Sequence, residues 1–451
     1  MMNDLDYPTN YPNDNQRGIS GALASKNESL FQEMMLRIPY KTGVFYQGLS
    51  LMQLAAKHDY ARGVEILMEH GVSPDDKGHE NELSALDYAV LNNSYEMVKL
   101  LLDRGANPNN SFTYYPDPAG PMMKKCTLGL ALEEDAPHIV QLLLEKGANP
   151  NAVHAGEPLI VMAGKRCHAS IAELLCLHQA NVNAQDKDGN TVLHICALTN
   201  REKLTTLLLK KYHADACIKN NNQDMAMHLA VKGKNTRILS MLQQHGTPIF
   251  EPNCGGESVV SLVVNENDSK LLHTLFDHWL REFSFTNRKE WRLNKYLTMA
   301  ASGGHSISVD YLIKHVSDFN EVDASGKTAL HYATQYGLDM FNQFIPYLDK
   351  CDINKQDSQG NTALHYAVLG WHISSPKIVK TLIERGADPD ICNNKGETIS
   401  HIAFFKGDRC EKYLEAVLEE TQKNRHGKAV LITHHQSGQN INNRGDENQN
   451  G

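Results

Sequence analysis

The same eight-residue phrase stands twice in this chain, as Gly326-Lys-Thr-Ala-Leu-His-Tyr-Ala333 and as Gly360-Asn-Thr-Ala-Leu-His-Tyr-Ala367. Thr328 and Thr362 are 34 residues apart, and the hydroxyl of each can accept hydrogen bonds from the free N–H groups in the first turn of a helix. The leading glycine permits the positive φ of a tight turn. The phrase therefore predicts a turn followed by a helix, repeated at a fixed interval.

Eleven segments of the chain align on the residue that begins this helix. Those residues are Ser50, Ser84, Cys126, Pro158, Thr191, Met225, Ser258, Lys295, Thr328, Thr362 and Thr398, most of them 32 to 37 residues apart. A second phrase, Val98-Lys-Leu-Leu-Leu-Asp-Arg-Gly-Ala-Asn107, recurs in similar form at 140–149 and 379–388. Its apolar side chains lie three and four positions apart, and its glycine suits a left-handed helix end. Each unit is therefore predicted to contain two helices.

A period near 33 residues that opens with Thr-Pro-Leu-His-x-Ala is typical of the ankyrin repeat, and this chain resembles that family. Alanine replaces the proline in both copies of the first phrase. The resemblance covers roughly residues 47–420 and implies an all-α fold, an ankyrin-repeat solenoid of about eleven helix-turn-helix units with short β-hairpin turns. Two units depart from the pattern: the unit from Ser258 lacks the small alanine, and the unit from Pro158 has Gln179 in place of glycine.

The repeat pattern and the local composition divide the chain into segments. We predict a disordered N-terminus (1–20), an N-terminal capping helix (21–46), repeats 1–7 (47–277) with a loop insertion (111–124), a basic and aromatic insertion (278–295), repeats 8–11 (296–421) and a disordered tail (422–451). The two ends are assigned as disordered because they are polar and poor in apolar residues. Segment 278–295 would also suit a hinge between two sub-arrays.

Composition favours a cytoplasmic protein and argues against several partner classes. The net charge of −9 and a pI near 6.2 argue against general nucleic-acid binding. The nine cysteines are scattered without a C-x-x-C pair, which predicts reduced thiols. The first 16 residues lack the basic start and apolar run of a signal peptide. The sequence contains no run of about 18 apolar residues, so we predict no membrane span.

The chemical motifs of enzymes are missing from the sequence. There is no Walker-type loop, no G-x-S-x-G and no H-E-x-x-H, so we expect no catalytic residues, no cofactor and no metal. Five histidines occupy the fourth position of the helix-start phrase, and the family resemblance implies a structural role for them: His194, His228, His331, His365 and His401. The alternative is a cysteine-dependent hydrolase site in degenerate repeats, for which the sequence neighbours are Cys196 with His194, Cys167 with His168, and Cys176 with His178.

Three surfaces are candidates for binding a protein partner. The hairpin tips carry Asp186, Asp188 and Asp357, although aspartate is also ordinary turn chemistry. The insertion 111–124 carries apolar and aromatic side chains that are costly to expose, unless the loop packs on its own array: Phe112, Tyr114, Tyr115, Met122 and Met123. The insertion 278–295 suits an acidic or phosphorylated ligand through Trp279, Arg288, Lys289, Trp291 and Arg292, although the tryptophans would also suit a core and the basic residues a solvated face.

The family resemblance adds function, setting and modification. It implies a non-enzymatic protein–protein interaction scaffold, which we expect to be monomeric. Because the units are irregular and the tail is rich in Asn and Gln, the chain also resembles the ankyrin-repeat effectors that intracellular bacteria inject into the host cytoplasm, where the partner would be a host protein. Hydroxylation of hairpin asparagines in this family implies Asn109, Asn151 and Asn183 as candidates, each with a leucine eight residues upstream.

Overall fold

The computed structural model describes residues 14–38, 42, 48–78, 83–114, 122–282, 293–370 and 375–421, with the backbone alone described for 14–16 and 278–282. The chain divides into two compact units, 1–257 and 258–451. Almost all regular structure in the described ranges consists of antiparallel helix pairs. The predicted fold class, ankyrin repeats that are predominantly helical with few short strands, is confirmed.

The first unit contains seven helix pairs in its described ranges. They are α1 (Asp14–Ala24) with α2 (Glu28–Arg37), α3 (Leu51–Lys57) with α4 (Ala61–Glu69), α5 (Ala85–Leu91) with α6 (Tyr95–Asp103), α7 (Thr127–Glu133) with α8 (Pro137–Glu145), α9 (Leu159–Arg166) with α10 (Ala169–Leu177), α11 (Val192–Thr199) with α12 (Glu202–Lys210), and α13 (Ala226–Lys232) with α14 (Thr236–Gln244). Two short hairpins interrupt this series, β1 (Ser111–Tyr114) with β2 (Met123–Cys126) and β3 (Val153–His154) with β4 (Glu157–Pro158).

The second unit contains five helix pairs in its described ranges. They are α15 (Val259–Glu266) with α16 (Ser269–Glu282), α17 (Leu293–Ser302) with α18 (Ser306–Leu312), α19 (Ala329–Tyr336) with α20 (Leu338–Phe344), α21 (Ala363–Leu369) with α22 (Ser375–Glu384), and α23 (Ile399–Lys406) with α24 (408–421). A short 3₁₀ helix, Ile345–Lys350, follows α20. Within each unit the first helix of every pair packs against the first helix of the next pair.

The helix starts were predictable because their capping residues repeat. Ten of the eleven aligned residues are the N-caps of the first helices, as predicted. The eleventh, Lys295, was wrong: α17 begins at Leu293, so Lys295 lies inside the helix. The register of the alignment is nevertheless correct, because Thr298, at the fourth position from Lys295, donates from its hydroxyl to the Glu321 carbonyl at 2.9 Å, as His228 does to the Glu251 carbonyl. The helix of this unit simply begins earlier than the helices of the other units.

The N-terminal region differs from its prediction. Residues 14–24 form α1, so the disordered N-terminus predicted for 1–20 is wrong from residue 14 onward. Ile19, Ala22 and Leu23 are fully buried, and α1 packs on both α2 and α3. The single capping helix predicted within 21–46 is therefore a helix pair. The boundary between the two compact units lies between residues 257 and 258, ahead of the hinge predicted at 278–295.

In four repeats a buried histidine caps the start of the first helix and bonds to a carbonyl group further along the chain. The backbone N–H of Thr328 donates to Nδ1 of His331 at 3.0 Å, and Nε2 of His331 lies 3.0 Å from the carbonyl oxygen of Lys355. Because Nδ1 accepts a backbone proton, the ring proton sits on Nε2 and donates to that carbonyl. Burial lowers the pKa of His331, as it lowers the pKa of His194, His228 and His365. The imidazoles are therefore held neutral.

These histidines predict a loss of stability in mild acid. In the unfolded chain each histidine binds a proton near its ordinary pKa of 6.5, whereas the folded chain resists protonation until a lower pH. Stability is therefore full above pH 6.5, and below it each histidine costs up to about 1.4 kcal/mol per pH unit. We expect the urea concentration at the midpoint of unfolding to be lower at about pH 5.5 than at about pH 7.5. An unchanged midpoint across that interval would contradict the neutral, buried imidazoles.

Candidate functional site

The insertion 111–124 builds one wall of a surface cleft together with the hairpin that follows it. Strands β1 and β2 pair in antiparallel register, with Ser111 opposite Cys126 and Tyr114 opposite Met123. The backbone N–H of Ala155, in the turn between β3 and β4, donates to the carbonyl oxygen of Lys124 at 2.9 Å. This bond joins the two hairpins, so the insertion continues into the next unit and is ordered at both of its ends.

The apolar residues predicted in this insertion divide into two groups. Phe112 is buried and anchors the hairpin, whereas Tyr114 is half-exposed and Met122 is 65% exposed. The ammonium of Lys125 lies 4.7 Å from the centre of the Tyr114 ring and holds that ring in place by a cation–π contact. Tyr115 lies outside the described residues. The packing interpretation therefore describes Phe112, whereas partner binding by Tyr114 and Met122 stays a prediction.

The cleft beside these hairpins has a volume of about 760 Å³, within the range usual for ligand sites in proteins. Its apolar wall is formed by Met122, Met123 and Val153, and Val153 is itself half-exposed. An exposed apolar wall on a stable hairpin is costly to leave in water, and it marks a surface that gains free energy when a partner covers it.

The opposite side of the cleft is charged, and its acidic residues are already paired. Nζ of Lys165 lies 2.8 Å from Oδ2 of Asp186 and also contacts the carboxylate of Glu157. Although burial opposes the shift, these two hydrogen bonds raise the pKa of Lys165. The remaining cations, Lys124 and Lys187, have no carboxylate partner among the residues that the structure describes. The three lysines and two carboxylates that line the cleft therefore give it a net charge of +1.

Two of the three aspartates predicted at the hairpin tips are used by their own turns. Oδ1 of Asp186 accepts hydrogen bonds from the backbone N–H groups of Asp188 and Asn190 at 3.0 and 2.8 Å. Oδ1 of Asp357 makes the equivalent pair of bonds, and its Oδ2 accepts from the Tyr366 hydroxyl at 2.6 Å. Both carboxylates are buried, so the turn-chemistry interpretation describes them. Only Asp188 presents an exposed side chain.

A cysteine and a histidine that the sequence analysis did not pair meet beneath the same hairpins. Sγ of Cys126 lies 3.7 Å from Nδ1 of His154, and Nε2 of His154 lies 3.4 Å from a carboxylate oxygen of Glu133. A thiol protease orders its nucleophile, base and orienting group in this way. Burial, however, raises the pKa of the Cys126 thiol to about 11 and lowers the pKa of His154. The pair therefore stays as neutral thiol and neutral imidazole, which is not an activated nucleophile.

His154 performs the capping role of the missing repeat histidine. In this unit the fourth motif position is Gly129, and a Cβ built on Gly129 would collide with the His154 ring. The backbone N–H of Cys126 donates to Nδ1 of His154 at 3.2 Å, and the N–H of Thr191 donates to Nδ1 of His194 at the same distance. The imidazole therefore comes from the neighbouring hairpin instead of from the helix itself. The repeat alignment could not predict that His154 supplies this imidazole. The glycine at position 129 was nevertheless a signal, because it leaves space for a side chain from another element.

This exchange predicts a rescue between two substitutions. Gly129→His alone should crowd the space that His154 occupies, and His154→Ala alone should leave the Cys126 N–H unpaired in the interior. Each should cost about 1–3 kcal/mol of unfolding free energy. The double variant restores the regular motif, so we expect it to be more stable than either single variant. Urea unfolding of the four proteins measures the coupling. Additive losses in the double variant would contradict the capping role.

The other cysteine–histidine neighbours do not form activated pairs. Burial raises the pKa of Cys196 to about 12 and that of Cys176 to about 11. Nε2 of His194 is directed at the carbonyl of Asp224, 3.0 Å away, and not at a thiol. Cys167 is exposed and lies beside the Arg201 guanidinium. In the described ranges, no hydrogen bond joins the thiol to the imidazole in any of these three pairs of sequence neighbours.

The second unit carries a tyrosine stripe that the sequence analysis missed. Tyr332 and Tyr366 occupy the fifth position of the repeated phrase, and the ammonium of Lys327 lies 5.1 and 4.3 Å from their ring centres. The Tyr332 hydroxyl donates to Oδ2 of Asp323 at 2.5 Å, as Tyr366 does to Asp357. Burial, and then these bonds, raise the pKa of both hydroxyls. The two tyrosines in the repeated phrase were the signal for this surface.

The asparagines predicted for hydroxylation link successive hairpins. Oδ1 of Asn109 accepts from the backbone N–H of Asn149, and Oδ1 of Asn151 accepts from that of Asn181, both at 2.7 Å. Oδ1 of Asn183 makes the equivalent bond to Asp215 at 3.0 Å. These amides are held by hydrogen bonds in the folded chain, and hydroxylation at these positions stays a prediction.

The remaining predictions concern residues of the second insertion. Trp279 lies in α16, where the backbone alone is described, and Arg288, Lys289, Trp291 and Arg292 lie outside the described residues. In the described ranges, His, Cys, Asp and Glu side chains form no group of three that could hold a metal ion. None of the helices in those ranges is both long enough and apolar enough to span a bilayer.

Comparison with known proteins assigns the chain to a family. The family described as Ankyrin repeats (3 copies) matches residues 21–111, 128–220, 261–357, 297–395 and 338–427. The chain belongs to the ankyrin-repeat family. The match begins at residue 21, which agrees with the helix pair α1–α2 at the start of the first unit.

The relatives come from viruses and animals. The putative ankyrin repeat protein FPV031 of fowlpox virus (strain NVSL) is 25% identical over 258 residues, 55% of this chain and 63% of the relative, and protein glp-1 of Caenorhabditis elegans is 28% identical over 182 residues, 38% of this chain and 14% of the relative. The chain thus spans less than two thirds of each. The ankyrin repeat domain of Bcl-3 aligns at a TM-score of 0.42 and 22% identity, over 50% of this chain and 97% of that domain.

Proposed function

We propose that this chain is a non-enzymatic scaffold that holds a segment of a partner protein in the cleft beside hairpins 111–126 and 153–158. Ankyrin-repeat proteins act as protein–protein interaction scaffolds. The proposal is carried by one observation, the hydrogen bond from Ala155 to Lys124 that joins the two hairpins into an exposed wall. A rigid wall loses little conformational entropy when a partner binds, and this favours affinity.

The chemistry of the cleft selects the kind of segment. Met122 and Val153 offer apolar surface, and methionine adapts its shape to varied partners. Lys124 and Lys187 are the cations of the cleft that contact no carboxylate in the described ranges, whereas Lys165 contacts both Glu157 and Asp186. The fitting ligand is therefore a peptide segment that combines an apolar side chain with one or more carboxylates. Nucleic acid would meet Glu157 and an acidic chain beyond the cleft, which disfavours it.

A peptide selection tests this proposal. Displayed random peptides selected on the full chain should be enriched in Asp and Glu next to Leu, Phe or Met. Synthetic copies of the selected peptides should bind the Lys124→Glu/Lys187→Glu variant at least about tenfold more weakly, with steep dependence on salt. Lys99→Glu/Lys210→Glu, which changes two exposed lysines of the first unit that do not line the cleft, is the matched control and should bind normally. Peptides without acidic residues, or equal binding by both variants, would overturn the proposal.

The biological setting is a further proposal that rests on the sequence. We infer an effector that a bacterium secretes into a host cytoplasm, where it would bind a host protein as a monomer. The support is the resemblance described above, whereas the relatives named here are viral and animal proteins. Fusion to a reporter enzyme that is active only inside host cells would test secretion. Reporter activity that stays at background in infected cells would refute it.

Two smaller proposals concern ligands and modification. The basic residues of 278–295 would serve an acidic or phosphorylated ligand, and binding that survives the combined change of Arg288, Lys289 and Arg292 to Glu would exclude this use.

Hydroxylation at Asn109, Asn151 and Asn183 would add about 16 Da per site, and an unchanged intact mass after treatment with the hydroxylase would exclude it.

A further inference from the structure

The last repeat of the second unit presents an uncovered end. In the regular repeats the seventh residue from the helix start is fully or almost fully buried: Ala56, Val90, Leu132, Ala197, Val231, Val264, Thr334 and Val368. In the last repeat this residue is Phe404, which is 63% exposed, and the next residue, Phe405, is 78% exposed. Two neighbouring aromatic side chains in water are costly. This end of α23 therefore lacks a cover among the residues that the structure describes.

The motif histidine of the same repeat is half-bonded. Nδ1 of His401 accepts from the backbone N–H of Thr398 at 3.2 Å, as in the inner repeats. The Nε2 atom of His365 faces the carbonyl oxygen of Glu397, the residue that follows the turn glycine Gly396. For Nε2 of His401, the described part of the chain supplies no such carbonyl. The repeat is thus arranged to receive one more hairpin turn.

The sequence of residues 442–446 resembles that of such a turn. They read Asn-Asn-Arg-Gly-Asp, and residues 393–397 read Asn-Asn-Lys-Gly-Glu. In the turn 393–397, Oδ1 of Asn393 accepts from the N–H groups of Lys395 and Glu397, both at 3.0 Å, and Gly396 has a φ of +76°. The turn also attaches to its predecessor, because the Asn394 N–H donates to the Gln359 carbonyl at 3.0 Å. The same residue types recur at 442–446 in the same order.

The chain between the last helix and this turn is long enough and apolar enough to cover the end. Helix α24 is described up to residue 421, and 20 residues lie between this residue and Asn442. An extended chain spans about 3.3 Å per residue. This connection contains the apolar run Ala429-Val-Leu-Ile432. In the preceding repeat, the corresponding connection from α22 to Asn393 is shorter and carries no comparable run.

We propose that segment 428–446 of this chain docks on the exposed end of the last repeat. The turn 442–446 attaches to the hairpin 393–397, so that the Asp446 carbonyl accepts from Nε2 of His401. The run Ala429–Ile432 covers Phe404 and Phe405. The occupant is the chain's own segment, because it carries both the turn and the apolar run and is connected directly to α24. This surface is separate from the cleft of the proposed function, and neither proposal depends on the other.

Photo-crosslinking in the full chain tests the docking. A benzoylphenylalanine at Phe405 should form an intramolecular crosslink to the tryptic peptide 429–444, at the mass of a single chain. The same probe at Leu198, the eighth residue of an inner repeat, should give no crosslink to that peptide. Gly445→Val should abolish the crosslink from position 405, because valine disfavours the positive φ of the turn. Gly438→Val, outside the turn, should leave it unchanged.

Three results would overturn the proposal. The first is a crosslink from position 405 that joins two chains, which would make the end face a self-association surface. The second is a crosslink yield at background, which would leave the face uncovered. The third is equal yield from the Gly445→Val and Gly438→Val variants, because the turn would then have no part in docking.

Discussion

The structure depends on a hydrogen-bonded imidazole that serves two repeats at once. Nδ1 of His331 accepts the backbone N–H that begins its own helix, and Nε2 donates to a carbonyl of the next repeat. One neutral side chain therefore satisfies an orphan helix donor and fixes the spacing between neighbours. Since each helix pair is too small to bury its own apolar face, this contact and the packing of the first helices make folding a property of neighbouring pairs.

The places where this arrangement changes are also the places where surface is available. At the third repeat the imidazole comes from the neighbouring hairpin, since Gly129 leaves room for His154. The hydrogen bond from Cys126 to His154 joins β3–β4 to the start of α7 and places this hairpin against the insertion. The wall of the cleft is therefore fixed to the helix pair. At the last repeat the imidazole of His401 is bonded on one side only, and the aromatic residues beside it are exposed.

Much of the fold could be predicted because its signals are local. Thr328, Thr362 and the other capping residues mark helix starts directly, and the histidines three residues later follow from the same phrase. The prediction failed where burial depends on contacts distant in sequence. Helix α1 has few large apolar residues, and its packing on α2 and α3 makes Ile19 and Leu23 core residues. Lys295 is not an N-cap because α17 begins at Leu293, two residues before it.

The candidate site was less predictable for the same reason. The apolar residues of 111–124 were recognisable, but the division between the buried Phe112 and the exposed Met122 is set by strand pairing. Asp186 resembled a binding residue in sequence, yet its carboxylate accepts hydrogen bonds from the backbone of its own turn and from Lys165. Cys126 and His154 are 28 residues apart, and no periodicity relates them. Tyr332 and Tyr366 stand in the repeated phrase, but the phrase alone does not show that Lys327 contacts both rings across two repeats.

The central claim is that repeats are stabilised by their neighbours, and native-state hydrogen exchange tests it most directly. A Leu364→Ala substitution, in the fully buried core of the repeat 360–390, should destabilise that repeat by about 2–5 kcal/mol. The account predicts that amide protection also falls in the adjacent repeats at 326–350 and 396–421, with the effect decreasing along the second unit. Loss of protection confined to residues 360–390, with both neighbours unchanged, would contradict it.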